Sequence, residues 1–221
     1  MNIRTAEQLY DAIAADFIWR KKELSAYKFA VEGAGHSPDK QHAFLRGAIA
    51  LLYAHWEGFI KFTGGSYLEF VYFQRLKHSE LAPNFIALSA RRLLRDASQS
   101  SAISAHLRIT EFYRDQMESR SSIPYRDAIA TRSNLSSRVL REILEVLGLD
   151  TAPFATKAVL IDELLVDRRN SVAHGEYLLV TLDGFHHISS EVLAMMDEFF
   201  MQVSNAAAVR RYRNRSASSV V

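Results

Sequence analysis

Arg169-Asn170-Ser171-Val172-Ala173-His174, followed at once by Gly175, is the stretch of this chain richest in chemistry. Arginine is a permanent cation whose planar fork matches phosphate geometry. Histidine is the one side chain that both takes and gives a proton near neutral pH. Together they supply what cleaving a phosphodiester without a metal requires. No other cluster has comparable content. His186-His187 beside Asp183 lacks a third ligand at suitable spacing, and adjacent histidines point in different directions, so no metal is expected. There is no Walker loop, dinucleotide fingerprint or Gly-x-Ser-x-Gly, and no cofactor is expected either.

On an ideal helix Ile161, Leu164, Leu165 and Val172 share one face, expected to be the core stripe. Asp167, Asn170, Ser171 and His174 share the opposite, polar face, so Asn170 or Asp167 can hydrogen-bond His174 and set its tautomer. Gly175 suits the residue just past a helix end, which puts His174 in the last turn, where the helix dipole favours the imidazolium. Arg169 and His174 diverge by about 140° around such a helix. Either the arginine wraps round, or the helix is distorted, or a second subunit completes the site. Arg168 projects near the middle of the apolar stripe and is expected in an ion pair. Glu57 lies four residues from both Tyr53 and Lys61. It reads either as a surface Glu–Lys pair or as a carboxylate that faces the motif helix and pairs with Arg169 or His174. His55 reads as a partly buried packing residue.

The elements that must position these groups read as helices nearly throughout. Thr5-Ala6-Glu7-Gln8 is a capping box opening a run with Leu9, Ile13, Phe17 and Leu24, up to the Gly33-Ala34-Gly35 break. Ser37-Pro38 starts a long helix carrying Phe44, Leu45, Ile49, Leu52, Trp56, Phe59 and Ile60. Gly64-Gly65 is expected to weaken or kink it before Tyr67 to Leu76 continue the pattern. Pro83 starts a segment through Leu94, and Ser100 or Ser101 caps another through Met117. Residues 119–133 are polar, contain Pro124 and read as a mobile loop. Leu135 to Leu147 is a helix stopped by Gly148. Pro153 precedes the motif helix, with Thr156 as its expected N-cap. Residues 176–189, centred on Asp183-Gly184, form either a small hairpin or a packed loop, with the loop favoured. A final helix runs from about Ser190 to Val209. The expected fold is all-α: a single-domain bundle of six or seven helices around a long central one, over residues 1–213. A frayed basic tail follows at 214–221.

Composition agrees with that class. The 221 residues suit one good-sized core, and 9 Gly with 4 Pro are too few for a turn-rich β-fold. The absence of cysteine excludes thiolate chemistry and suits a reducing cytoplasm, the expected location. No run approaches the roughly 18 apolar residues of a membrane span. Charge is unevenly spread: residues 91–141 hold ten arginines against five acids, and residues 142–208 three bases against eleven acids. Arg210, Arg211, Arg213 and Arg215 flank Tyr212, a mixture that RNA-binding segments use and that equally suits a helix C-terminus.

Arg169-Asn170-x-x-x-His174 resembles the Arg-x4–6-His motif of the HEPN superfamily, small all-α domains of prokaryotic toxin–antitoxin and antiviral systems. The flanking 162–167 and 175–177, with Leu51 to Lys61, are similar to bacterial HEPN nucleases linked to the RiboL-PSP group. The resemblance implies a metal-independent endoribonuclease acting as a toxin or defence effector. It implies a homodimer whose two motifs face one cleft, and a candidate cognate antitoxin as a partner. By the same resemblance His174 carries acid–base chemistry, Arg169 holds the scissile phosphate and Asn170 orients the pair. The resemblance also favours Glu57 as a support and implies 2′,3′-cyclic phosphate and 5′-hydroxyl products. Asp167 is expected to support the pair by its helix face, and Arg210, Arg211 and Arg213 to contact RNA by the cation–aromatic mixture of their segment. The alternative is a non-catalytic module of the same type that binds nucleotide, RNA or a protein partner.

Overall fold

Apolar residues at helical spacing recur along most of the chain, and the structure, a computed structural model, turns each such run into a helix. It describes residues 2–126, 128–131 and 134–214. The α-helices are α1 (Ala6–Gly33), α2 (Pro38–Phe73), α3 (Pro83–Ser98), α4 (Ile103–Asp115), α5 (Ser137–Leu147), α6 (Ala152–Ala155), α7 (Arg168–Ala173) and α8 (Leu182–Ala208). A π-helical turn, Leu160–Asp167, leads into α7, and there is no strand among the described residues. Two of the eight helices are short pieces that periodicity does not resolve. Among the described residues, no helix is long and apolar enough to cross a membrane.

The long α2 is the axis, packed against α1 and α8 on one side and against the π turn, α7 and α5 on the other. Leu9, Ile13, Phe17 and Leu24 of α1 are buried against it, as their spacing predicts. The capping box forms as read, with Thr5 Oγ1 accepting from Gln8 N–H and Gln8 Oε1 accepting from Thr5 N–H. Gly64-Gly65 does not interrupt α2. A Cβ at Gly64 would stand 3.2 Å from Ile129 Cγ1 and 3.3 Å from Leu147 Cδ1, so glycine here admits neighbours rather than bending the helix.

On its α1 side, α2 carries a closed polar cluster. Arg20 is buried and grips the Asp16 carboxylate with two bonds, Nε–Oδ2 at 2.7 Å and Nη2–Oδ1 at 3.2 Å. Its Nη1 donates to His55 O at 3.3 Å, and a Cβ on Gly58 would come within 2.7 Å of that Nη1. His55 is only 3% exposed, with Nε2 2.8 Å from Glu23 Oε2. It is a structural residue, more fully buried than its sequence neighbours suggest.

Three expectations change. The last helix starts at Leu182, not Ser190: Thr181 Oγ1 caps it by accepting from Gly184 N–H, and Asp183 sits in its first turn. Asp183-Gly184 is therefore neither a hairpin turn nor a loop, because a Thr N-cap followed by an acid is a helix start. Thr156 ends α6 rather than capping the motif helix. The segment after α4 is a packed strap rather than a free loop: Ser121, Ile123, Ile129 and Thr131 are buried and Ser121 N–H bonds Leu76 O. Asp127, Arg132 and Ser133 of that segment lie outside the described residues.

Candidate functional site

The motif sits at the end of a helix with two pitches. Along Leu160–Asp167 the backbone closes i→i+5 rings. The buried pairs there are five apart, Leu160 with Leu165 and Ile161 with Val166. Leu164 and Val172, which an α-helical wheel assigns to the core, are only half-buried. Asp162 anchors the turn, accepting from Ser137 N–H at 2.7 Å and Ser137 Oγ at 2.5 Å, at the N-terminus of α5. The chain returns to α pitch at Arg168. The distortion lies upstream of Arg169 and His174, and no hydrogen bond or ion pair among the described residues joins the two side chains.

Arg169 turns inward. Its guanidinium lies 4.7 Å from the centre of the Tyr53 ring on α2, and its Nη1 donates to Asn170 Oδ1 at 2.8 Å. No carboxylate neutralises it among the described residues. The ring beneath is itself fixed, since the buried Tyr53 hydroxyl accepts from Leu135 N–H at 2.7 Å. Burial, reinforced by the nearby Glu57 carboxylate and opposed by Leu135 N–H and Arg169, pushes the Tyr53 phenol up to about 12. One helical turn on, burial works to raise Glu57. Hydrogen bonds from Lys61 Nζ (2.7 Å) and Thr131 Oγ1, with the Tyr53 hydroxyl beside them, outweigh it and hold the carboxyl below its usual value. Glu57 thus forms the pair with Lys61 and does not touch Arg169 or His174; it reaches the arginine only through Tyr53. The sequence places Tyr53 one helical turn from Glu57 but does not reveal it as the arginine's seat, because a helix wheel cannot show which neighbouring helix faces it.

His174 is the residue on which α7 ends. Gly175 follows with φ +74°, the left-handed conformation that glycine tolerates best. Gly175 N–H bonds Val172 O at 3.2 Å and Glu176 N–H bonds Ser171 O at 2.9 Å, a Schellman closure. His174 is exposed, and its imidazole has no partner among the described residues. The expected links from Asn170 or Asp167 are not formed: Asn170's side chain serves Arg169, and Asp167 is exposed at the junction of the two pitches. Arg168 is half-buried and forms no ion pair among the described residues, against expectation.

Beyond Gly175 an extended stretch runs back along the start of α2. Arg46 Nη2 donates to Glu176 O at 2.6 Å and His42 Nε2 lies 3.0 Å from Leu178 O. The Tyr177 ring packs on the His42 ring, with centroids 5.4 Å apart.

The basic end behaves differently residue by residue. Arg210 and Arg211 are exposed. Arg213 is half-buried, bridges to Leu81, and flanks a buried Tyr212 packed edge-on against Phe70. Asn214 N–H bonds Glu80 O; Arg215 and the rest of the expected tail lie outside the described residues. Among the described residues no group of three or more His, Asp or Glu side chains could hold a metal.

The model of the HEPN_MAE_28990-like HEPN family matches residues 9–212. The chain belongs to that family. HEPN domains are all-α, as this one is, and the superfamily is one of nucleases and nucleotide-related helical modules. Its family label is the MAE_28990-like one, where the sequence patches resemble the RiboL-PSP-linked group. No curated protein and no solved structure shows significant similarity to the chain.

Proposed function

We propose that this HEPN protein is a metal-independent endoribonuclease. The observation that carries the reading is an arginine oriented by a buried aromatic ring and left without a neutralising carboxylate among the described residues, five residues before an exposed histidine that has no partner among them. Holding Arg169 over Tyr53 orients its fork and leaves it donors for a phosphate, so substrate supplies the missing anion. His174 is free to exchange a proton with solvent and substrate. In the reaction a ribose 2′-oxygen attacks the adjacent phosphorus and the P–O5′ bond breaks. The 2′-hydroxyl proton leaves to a base, and the departing 5′-oxygen takes up a proton. The products are a 2′,3′-cyclic phosphate and a 5′-hydroxyl, with His174 serving one of these transfers and Arg169 stabilising the charge on the phosphorane.

Arg169 seats on the Tyr53 ring of α2 while His174 is exposed at the end of α7, and no hydrogen bond or ion pair among the described residues joins them. We propose that a homodimer with the two α7 ends facing one cleft completes the site, with an RNA substrate spanning them. The catalytic unit is then one helical domain over residues 1–213, with 214–221 a short basic extension, acting in the cytoplasm as a toxin or defence effector restrained by a cognate antitoxin.

The test is cleavage of a single-stranded RNA in EDTA by the purified protein, with product ends mapped. Wild type should cut and His174→Ala should not. Cutting that needs a divalent ion and survives His174→Ala would sink the assignment.

A further inference from the structure

An extended chain points alternate side chains to opposite faces, and the stretch after the motif obeys that rule with the outer positions filled unexpectedly. Val180 is buried and Leu178 half-buried, while Tyr177 is 78% exposed and Leu179 is 65% exposed. A surface strap ordinarily turns polar residues outward. This one presents a phenol ring, and the ring is not loose. One side of Tyr177 packs on His42 with 32° between the planes. The backbone on either side of it is clamped to α2, by Arg46 at Glu176 O and by His42 at Leu178 O. The chain bounds its distance from the motif: three Cα–Cα steps lead from His174 to Tyr177, so their Cα atoms are at most about 11 Å apart.

We infer that Tyr177, backed by His42, is a stacking platform for an unpaired nucleobase next to the phosphate handled by Arg169 and His174. This rests on the ribonuclease reading above and names what that site selects: a nucleotide whose base is out of a duplex. A largely exposed aromatic ring that packs at a tilt on His42 matches the flat face every base offers. Beside the ring lie the cation Arg46 and the His42 imidazole, with the exposed carboxylate of Glu176 one residue before it. The exposed face is small, one ring and one leucine, a scale that fits a single base.

The experiment uses a 2′-O-methyl oligonucleotide that cannot be cleaved, carrying 2-aminopurine at successive positions, with the intact protein. Stacking on Tyr177 should quench the fluorescence at one position. Tyr177→Ala should abolish that quenching and weaken binding roughly five- to hundred-fold, the span of base–aromatic stacking, while Tyr177→Phe keeps both. Replacing that one base by an abasic unit should weaken wild-type binding by the same factor and leave Tyr177→Ala no further loss. Because no bond is cut, the outcome is independent of catalysis: a protein that stacks the base but never cleaves RNA would sink the nuclease reading and leave the platform standing. Absence of quenching with wild type overturns the inference, as does an equal effect of Tyr177→Ala on the abasic oligonucleotide. So does a Tyr177→Ala protein that sediments as a monomer where wild type is a dimer, for the ring would then belong to a protein interface.

Discussion

The α2 helix divides two arginine–histidine pairs of opposite character. Tyr53 and His55 are two residues apart, so they leave the helix on roughly opposite sides. On the His55 side, Arg20 spends its donors on Asp16 and on His55 O, and the histidine is sealed under it. On the Tyr53 side, Arg169 lies on an aromatic face with only an amide bonded to it, and His174 ends its helix in the open. The same two residue types thus make a structural clamp in one place and a vacant cation with a free proton carrier in the other. Saturation, not composition, separates them. Buried charges must be paired, whereas a charge meant for a ligand is left for the ligand to pair.

The sharpest way to break the contrast is to delete chemistry on one side and stability on the other. His174→Ala should lower cleavage by about 10² to 10⁴-fold, the scale of general acid–base catalysis, with RNA affinity changed less than twofold. Arg169→Ala should lower cleavage by ~10²-fold and also weaken binding, since it removes both phosphate attraction and charge stabilisation. Gel-based kinetics and fluorescence anisotropy on the same preparations read the two effects. Arg20→Met, in contrast, should cost about 3–5 kcal/mol of stability in urea titrations by stranding Asp16, while cleavage per folded molecule stays at the wild-type value. A loss of activity without a loss of stability in that variant would erase the distinction.

The Arg169 and His174 side of the contrast was legible in the sequence, while the Arg20 clamp on the other side was not, for definable reasons. Caps are local, so Thr5, the Ser37-Pro38 start and the Gly148 and Gly175 stops were readable from a few residues. Arg169 and His174 stood out by type and spacing alone. The π turn was not readable, since 3.6-residue periodicity is assumed in the wheel that would detect it, and Leu164 and Val172 were misplaced as a result. Tyr53 as the seat of Arg169, and Thr131 as a partner of Glu57, are contacts between residues far apart in the chain, which no local pattern encodes. Thr181-Leu182-Asp183-Gly184 was legible but misread, because Asp-Gly is both a turn signal and, two residues after a threonine cap, part of a helix start.

Smaller effects sharpen the comparison. Tyr53→Phe should leave cleavage near wild type but lower stability by ~1–3 kcal/mol, as Leu135 N–H loses its acceptor. Tyr53→Leu should lose the same stability and also slow cleavage several-fold, as the cation–π contact disappears. The two sides should also part with pH. Burial, opposed by Glu23 and aided by Arg20, holds the His55 imidazole below its ordinary value of 6.5. Protonation then favours the unfolded chain, so this stabilisation is full above about pH 6.5 and is lost as pH falls through the folded value. Melting temperatures between pH 7.5 and 5 should therefore slope less in His55→Asn than in wild type. Smallest of all, Arg210→Gln with Arg211→Gln should lower the salt slope of RNA binding by less than two without altering product ends.

The eight residues of the π turn also act as a measure of chain length. Each residue added to or taken from a helix rotates everything beyond it by about 100°. Removing one residue between Asp162 and Arg169 while the turn kept its wide pitch would swing the arginine off its ring with Asp162 still fastened to Ser137. Exposed Glu163 can change identity freely, but the count of residues between that anchor and the arginine cannot change. In this stretch, spacing is under tighter physical constraint than spelling.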